Sequence, residues 1–129
     1  MATLLGLDYG QKHLGVALAL GPLAEPLQLL PTASAFPQII QLIHQYQVDA
    51  IVIGLSEGQM AHTTHRFGQE LQQATGLPVY YQDETLSSQE TRLKLAQSGQ
   101  KKSIREGKID HLVAAAILQD YLDSLASQA

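Results

Sequence analysis

Four acidic side chains stand where this sequence could do chemistry. Asp8 lies near the end of an otherwise apolar run, in Gly6-Leu7-Asp8-Tyr9-Gly10. A lone carboxylate buried there costs several kcal/mol unless it is paired or holds a metal; capping the turn around Gly10 and Lys12 is its alternative use. Asp83-Glu84 follow the apolar run Val79–Gln82 and precede Thr85-Leu86-Ser87-Ser88. Ser87 and Glu90 have the spacing of a capping box, which accounts for them and leaves Asp83 and Glu84 unexplained. Neighbouring residues of an extended strand face opposite ways, so only one of the pair shares a site with Asp8. A gap of about 5–10 Å across one or two strands favours the longer Glu84, with Asp83 next. Asp110 opens the last helical pattern, where the helix macrodipole alone also favours an Asp. Carboxylates from two strand ends and one helix start match the needs of paired Mg²⁺ or Mn²⁺ ions. Hard oxygen donors suit Mg²⁺, and two ions about 4 Å apart can clamp the attacking and leaving oxygens of a phosphodiester.

Positioning such a set requires a sheet with a shared rim. Leu4–Tyr9 and His13–Leu20 read as a hairpin, Glu25–Leu30 as a third strand, and Ala50–Leu55 as a strand buried on both faces. Phe36, Ile39, Ile40 and Ile43 recur with helical spacing, and Phe67, Leu71 and Ala74 mark one side of a helix over 60–75. A further helix is expected over 87–98. The last, from Ile109 to Leu125, carries the stripe Ile109, Leu112, Val113, Ala116, Ile117 and Tyr121. Its Ala114-Ala115-Ala116 run would let it approach the sheet and bring Asp110 to the rim. The order β-β-β-α-β-α-β-α-α predicts an α/β fold: a five-stranded mixed sheet, the first three strands antiparallel, with helices on both faces. At 129 residues it is expected to form one domain over 1–129.

Composition narrows the function classes. With 45% apolar and 16% charged residues, the chain is neither a disordered tail nor a coiled coil. It has no Cys, hence no disulfide framework and no Cys-based zinc site. The apolar stretch around Val16–Ala24 is about half a membrane span, and the start lacks the basic region of a signal peptide. A soluble, cytoplasmic protein is expected, with no membrane partner. G-x-G-x-x-G, G-x-x-x-x-G-K-[ST] and G-x-S-x-G do not occur, so no nucleotide cofactor is expected. His62 and His65 resemble half a metal site, but the sequence supplies no third ligand beside them, and surface positions are expected.

The net charge of -4 conceals an asymmetry. Arg92, Lys94, Lys101, Lys102, Arg105 and Lys108 are opposed within 92–108 only by Glu106, so that stretch carries +5 and the remainder -9. Such an asymmetry points to an anionic partner, with a solvated basic loop as its alternative reading. Two bound Mg²⁺ would also offset the four acidic candidates and bring the total near zero.

Gly6-Leu7-Asp8-Tyr9-Gly10-Gln11-Lys12-His13-Leu14-Gly15-Val16-Ala17, Ile51-Val52-Ile53-Gly54-Leu55, Asp83-Glu84-Thr85-Leu86-Ser87-Ser88 and Gly107-Lys108-Ile109-Asp110 resemble, in that order, the YqgF (RuvX) family. These are RuvC-like proteins of the ribonuclease H superfamily, associated with Holliday-junction resolution and with processing the 5′ end of pre-16S rRNA. The resemblance covers nearly the whole chain and implies a ribonuclease H-like fold, with Asp8, Asp83-Glu84 and Asp110 binding divalent metal. The chain departs from the family pattern at His13 and Thr85, where arginine is usual, and after Gly54-Leu55. The expected activity is a Mg²⁺-dependent nuclease, with Asp8, Glu84 and Asp110 catalytic. Lys12, His13, Arg92, Lys101, Lys102, Arg105 and Lys108 would contact backbone phosphates. Structured RNA is placed ahead of branched DNA as partner, and the protein is expected to be a monomer or homodimer. The rival readings are a catalytically weak nucleic-acid-binding module and an ATP-binding relative of sugar kinases, for which one domain is too few.

Overall fold

Period-two alternation sorts the central hairpin into a large face and a small one. The computed structural model describes residues 2–55, 59–83 and 109–128. Strand β1 (Leu4–Tyr9) pairs antiparallel with β2 (His13–Ala19), setting Leu5 against Leu18, Leu7 against Val16 and Tyr9 against Leu14. On the opposite face Leu4, Gly6 and Asp8 meet Ala19, Ala17 and Gly15. Strand β4 (Ala50–Leu55) lies parallel to β1 and continues the division, with Ile51 and Ile53 on the large face and Ala50, Val52 and Gly54 on the small one. Strand β5 (Val79–Asp83) adds in parallel to β4, and β3 (Ala24–Pro31) adds antiparallel to β2, giving the order β3-β2-β1-β4-β5. Pro26, which has no N–H to give a ladder, sits on edge strand β3 beside a register shift at Val16/Ala17.

The large face takes two helices. Helix α1 (Ala35–Tyr46) follows β3 through a 3-10 turn at Thr32–Ser34, and α2 (Gln59–Thr75) joins β4 to β5. Ile39, Leu42 and Ile43 of α1 and Phe67 and Leu71 of α2 enclose Leu5, Leu7, Leu14, Val16, Ile51 and Ile53. Each such side chain contributes roughly 1.5–3 kcal/mol through burial. Tyr81 of β5 crosses α2 where Gly68 has no side chain to obstruct it, and burial raises its hydroxyl pKa.

The small face takes one helix at close range. Helix α3 (Ile109–Gln128) lies so near β1 that a Cβ on Gly6 would stand 2.8 Å from Leu118 Cβ and 3.3 Å from the Ala114 carbonyl. A Cβ on Gly54 would run into Ile117 Cδ1. Gly6 meets atoms that cannot swing away, whereas Gly54 meets the tip of a flexible side chain. Gly6→Ala is therefore expected to cost about 1–3 kcal/mol by overpacking. Gly54→Ala should cost less, and Ile117→Val should relieve it. Urea unfolding of these variants checks the ranking, and equal losses for both alanines would count against the rigid contact at Gly6.

The mixed sheet, its antiparallel first three strands and the helices on both faces are as expected from the sequence. The 87–98 helix lies outside the described residues. Two faces differ in detail. Ala74 is exposed, and α2 instead buries Thr64, Phe67, Gly68 and Leu71. Helix α3 buries Val113, Ala114, Ile117 and Leu118, while Ala116 is only half-buried. Residues 112–118 are apolar all round, so their pattern leaves the helix rotation undetermined. The fit of Ala114 and Leu118 against Gly6 selects it.

Candidate active site at the carboxyl edge of the sheet

The chain leaves β1 toward β2 on one side and β4 toward β5 on the other, so the sheet order reverses between β1 and β4. Open α/β sheets bind ligands at such a point, beyond the carboxyl ends of the strands. Asp8 stands there, 4% exposed, between Gly15 on β2 and Gly54 on β4. Its neighbours in the row have no side chains, and the carboxylate occupies the small face. An ionised carboxylate at that depth needs polar or cationic partners, and its oxygens are acceptors that suit a hard cation.

Helix α3 is oriented toward the same rim. Ile117 lies over Gly54, level with Asp8, and Tyr121 stacks on Tyr80 (ring centroids 5.7 Å), level with Gly6. The helix thus runs antiparallel to β1, and its first turn, with Ile109 and Asp110, extends beyond Gly54 at the carboxyl edge. The positive end of its macrodipole points there too. Side-chain placement of Asp110 lies outside the described residues.

Strand β5 is one strand removed from β1. The row Asp8, Gly54, Gln82 crosses the sheet on the small face, and Tyr80 shares that face. Val79 and Tyr81 pack into the large-face core, and Asp83, two residues on, shares their side and is exposed. Alternation thus separates Asp83 from Asp8. Glu84 and the basic candidates Arg92, Lys101, Lys102, Arg105 and Lys108 lie outside the described residues. Among the described residues no three of His, Cys, Asp and Glu group closely enough to hold a metal.

The β1–β2 turn places Lys12, exposed, and His13, half-buried, on the same rim. Thr32, just past β3, fastens this turn: its N–H donates to Lys12 O (3.0 Å) and its Oγ1 donates to Gly10 O (2.8 Å). Sequence reading missed Thr32 and Gln82. Strand parity would have found Gln82, but nothing in the local pattern announces a contact 22 residues away. His62 and His65 are exposed, and the His65 ring lies against Tyr81 (4.3 Å).

Residues 2–124 match the family model RuvX, described as Holliday junction resolvase. The chain belongs to the RuvX family. Among RuvX-type relatives, a "Putative pre-16S rRNA nuclease" of Syntrophus aciditrophicus is 38% identical, over 97% of this chain and 91% of its own. A protein of the same name from Streptococcus uberis is 34% identical, over 93% and 96%. The fold is that of the RuvC-like, ribonuclease H-type resolvases. Thermus thermophilus RuvC, solved with a Holliday junction substrate, superposes with a TM-score of 0.63 at 17% identity, covering 100% of this chain and 98% of RuvC. Fowlpox virus resolvase, solved with junction DNA, gives 0.61 at 11%, covering 95% and 98%. No helix among the described residues is long and apolar enough to cross a membrane.

Proposed function

We propose that this RuvX-family chain is a divalent-metal-dependent nuclease that hydrolyses phosphodiester bonds at the 5′ end of pre-16S rRNA, in the cytoplasm, through one domain spanning 1–129. The observation that carries the reading is the buried Asp8 at the β1–β4 switch point, on the sheet face that α3 covers. Asp8, Glu84 and Asp110 would hold Mg²⁺ or Mn²⁺, two ions in all, since three carboxylates offer only hard oxygen donors. Divalent ions held by these residues would supply charge stabilisation at the reacting phosphodiester. The chain's own contribution is to hold the substrate: Lys12, His13 and the 92–108 cluster engage backbone phosphates, which fixes register without reading bases. The first turn of α3 adds its dipole to the same anion-attracting edge.

The junction-bound fold relatives favour a second reading, resolution of branched DNA, which requires two sites in a dimer. Labelled precursor rRNA and a four-way DNA junction, cleaved side by side in Mg²⁺, separate the two. The expected result is cleavage of the rRNA at least about tenfold faster, a difference of about 1.4 kcal/mol in barrier. Faster cutting of the junction by a dimer overturns the rRNA assignment. Binding of both without cleavage of either reduces the chain to a binding module on a nuclease fold.

A further inference from the structure

The β1–β2 turn carries Lys12 out from the strand that holds Asp8, and it has four residues, Gly10 to His13, beyond the last ladder pair at Tyr9 and Leu14. An exposed turn of this length, with glycine at its first position, gains little rigidity from its own sequence. Its order comes from outside. Strand β3 ends at Pro31, opposite His13, and the chain turns sharply into the 3-10 segment at Thr32. Thr32, the first residue past the β2–β3 pairs, extends that ladder by one bond from its N–H to Lys12 O, and its hydroxyl reaches on to Gly10 O. One residue therefore grips the turn at both ends, across 20 and 22 positions of sequence.

From this two-point clamp we infer that Thr32 is a positioning residue for substrate binding. It sets the direction in which Lys12 meets a backbone phosphate, at a fixed offset from Asp8. The inference rests on the reading of Lys12 as a phosphate contact. A preorganised lysine binds with less loss of conformational freedom than one on a loose turn, so the clamp acts on affinity and register.

The test measures the dissociation constant for a labelled precursor-rRNA fragment across a salt series, with EDTA present to stop cleavage. Lys12→Ala is expected to weaken binding and lower the slope of log K against log salt by a little under one unit, as for one lost phosphate contact. Thr32→Val keeps the shape and the backbone bond but removes the hydroxyl; it should weaken binding about 3–10-fold, the scale of one hydrogen bond. Thr32→Ser should bind like the parent. In the Lys12→Ala background Thr32→Val should cost clearly less than in the parent, because the main group it positions is gone and only His13 remains on the turn.

Parent-like binding by Thr32→Val, with Lys12→Ala impaired, overturns the clamp and leaves the Lys12 reading standing. No effect of Lys12→Ala removes that reading and the clamp with it. A Thr32→Val loss of the same size in both backgrounds assigns Thr32 a purely structural role and overturns the inference.

Discussion

Asp8→Asn is expected to lower metal-dependent cleavage of precursor rRNA by roughly 10²–10³-fold, the scale of removing one preorganised electrostatic partner. The fold should survive, because asparagine has the same shape and no charge to bury. At a position only 4% exposed, the lost desolvation cost of the charge offsets whatever its partners contribute to the folded state, so thermal stability should stay near that of the parent. RNA binding should hold or tighten as well, since one negative charge leaves the phosphate-facing edge. Chelation with EDTA should produce the same loss in the parent, with Mg²⁺ or Mn²⁺ restoring the rate. The rival use of Asp8, capping the turn after β1, makes the opposite forecast: a lowered melting temperature and unchanged cleavage. That pair of results would falsify the assignment of Asp8 to metal binding.

The parts of this fold legible in the sequence are those where one periodicity dominates. Leu5, Leu7, Leu14 and Val16 announce a two-sided hairpin, and the run Ala50–Leu55 coincides with β4 to the residue. Asp8 was legible because it interrupts an apolar strand, so its burial required a chemical reason. The rotation of α3 was not legible, since an apolar run without a polar side has no preferred face. What fixes it is the pairing of small residues on two elements far apart in sequence, Gly6 on β1 and Ala114 on α3. Thr32 was illegible for the same reason: its partners are carbonyls of a distant turn, and backbone acceptors carry no residue signature.

The alternation of β5 argues against Asp83 in the proposed choice between Asp83 and Glu84. Tyr80 meets Tyr121 on the α3 side, Tyr81 crosses Gly68 on the α2 side, and Gln82 returns to the row of Asp8 and Gly54. Asp83 therefore falls on the α2 side, away from Asp8, which leaves Glu84, outside the described residues, as the proposed ligand of the pair. Position also favours the longer side chain, because β4 intervenes between β5 and β1 and the separation is about 10 Å. Glu84→Gln is expected to reduce cleavage about 10²-fold or more, like other losses of a charge at a reacting phosphate. Asp83→Asn, an exposed residue on the far side, should stay within about threefold, as surface substitutions commonly cost under 0.5 kcal/mol. Steady-state cleavage with Mg²⁺ across both variants, each checked by circular dichroism, decides the matter. The reverse ranking would mean that β5 breaks its alternation at the rim, as a β-bulge does when it re-aims a side chain beside a site, and Asp83 would then take the ligand role.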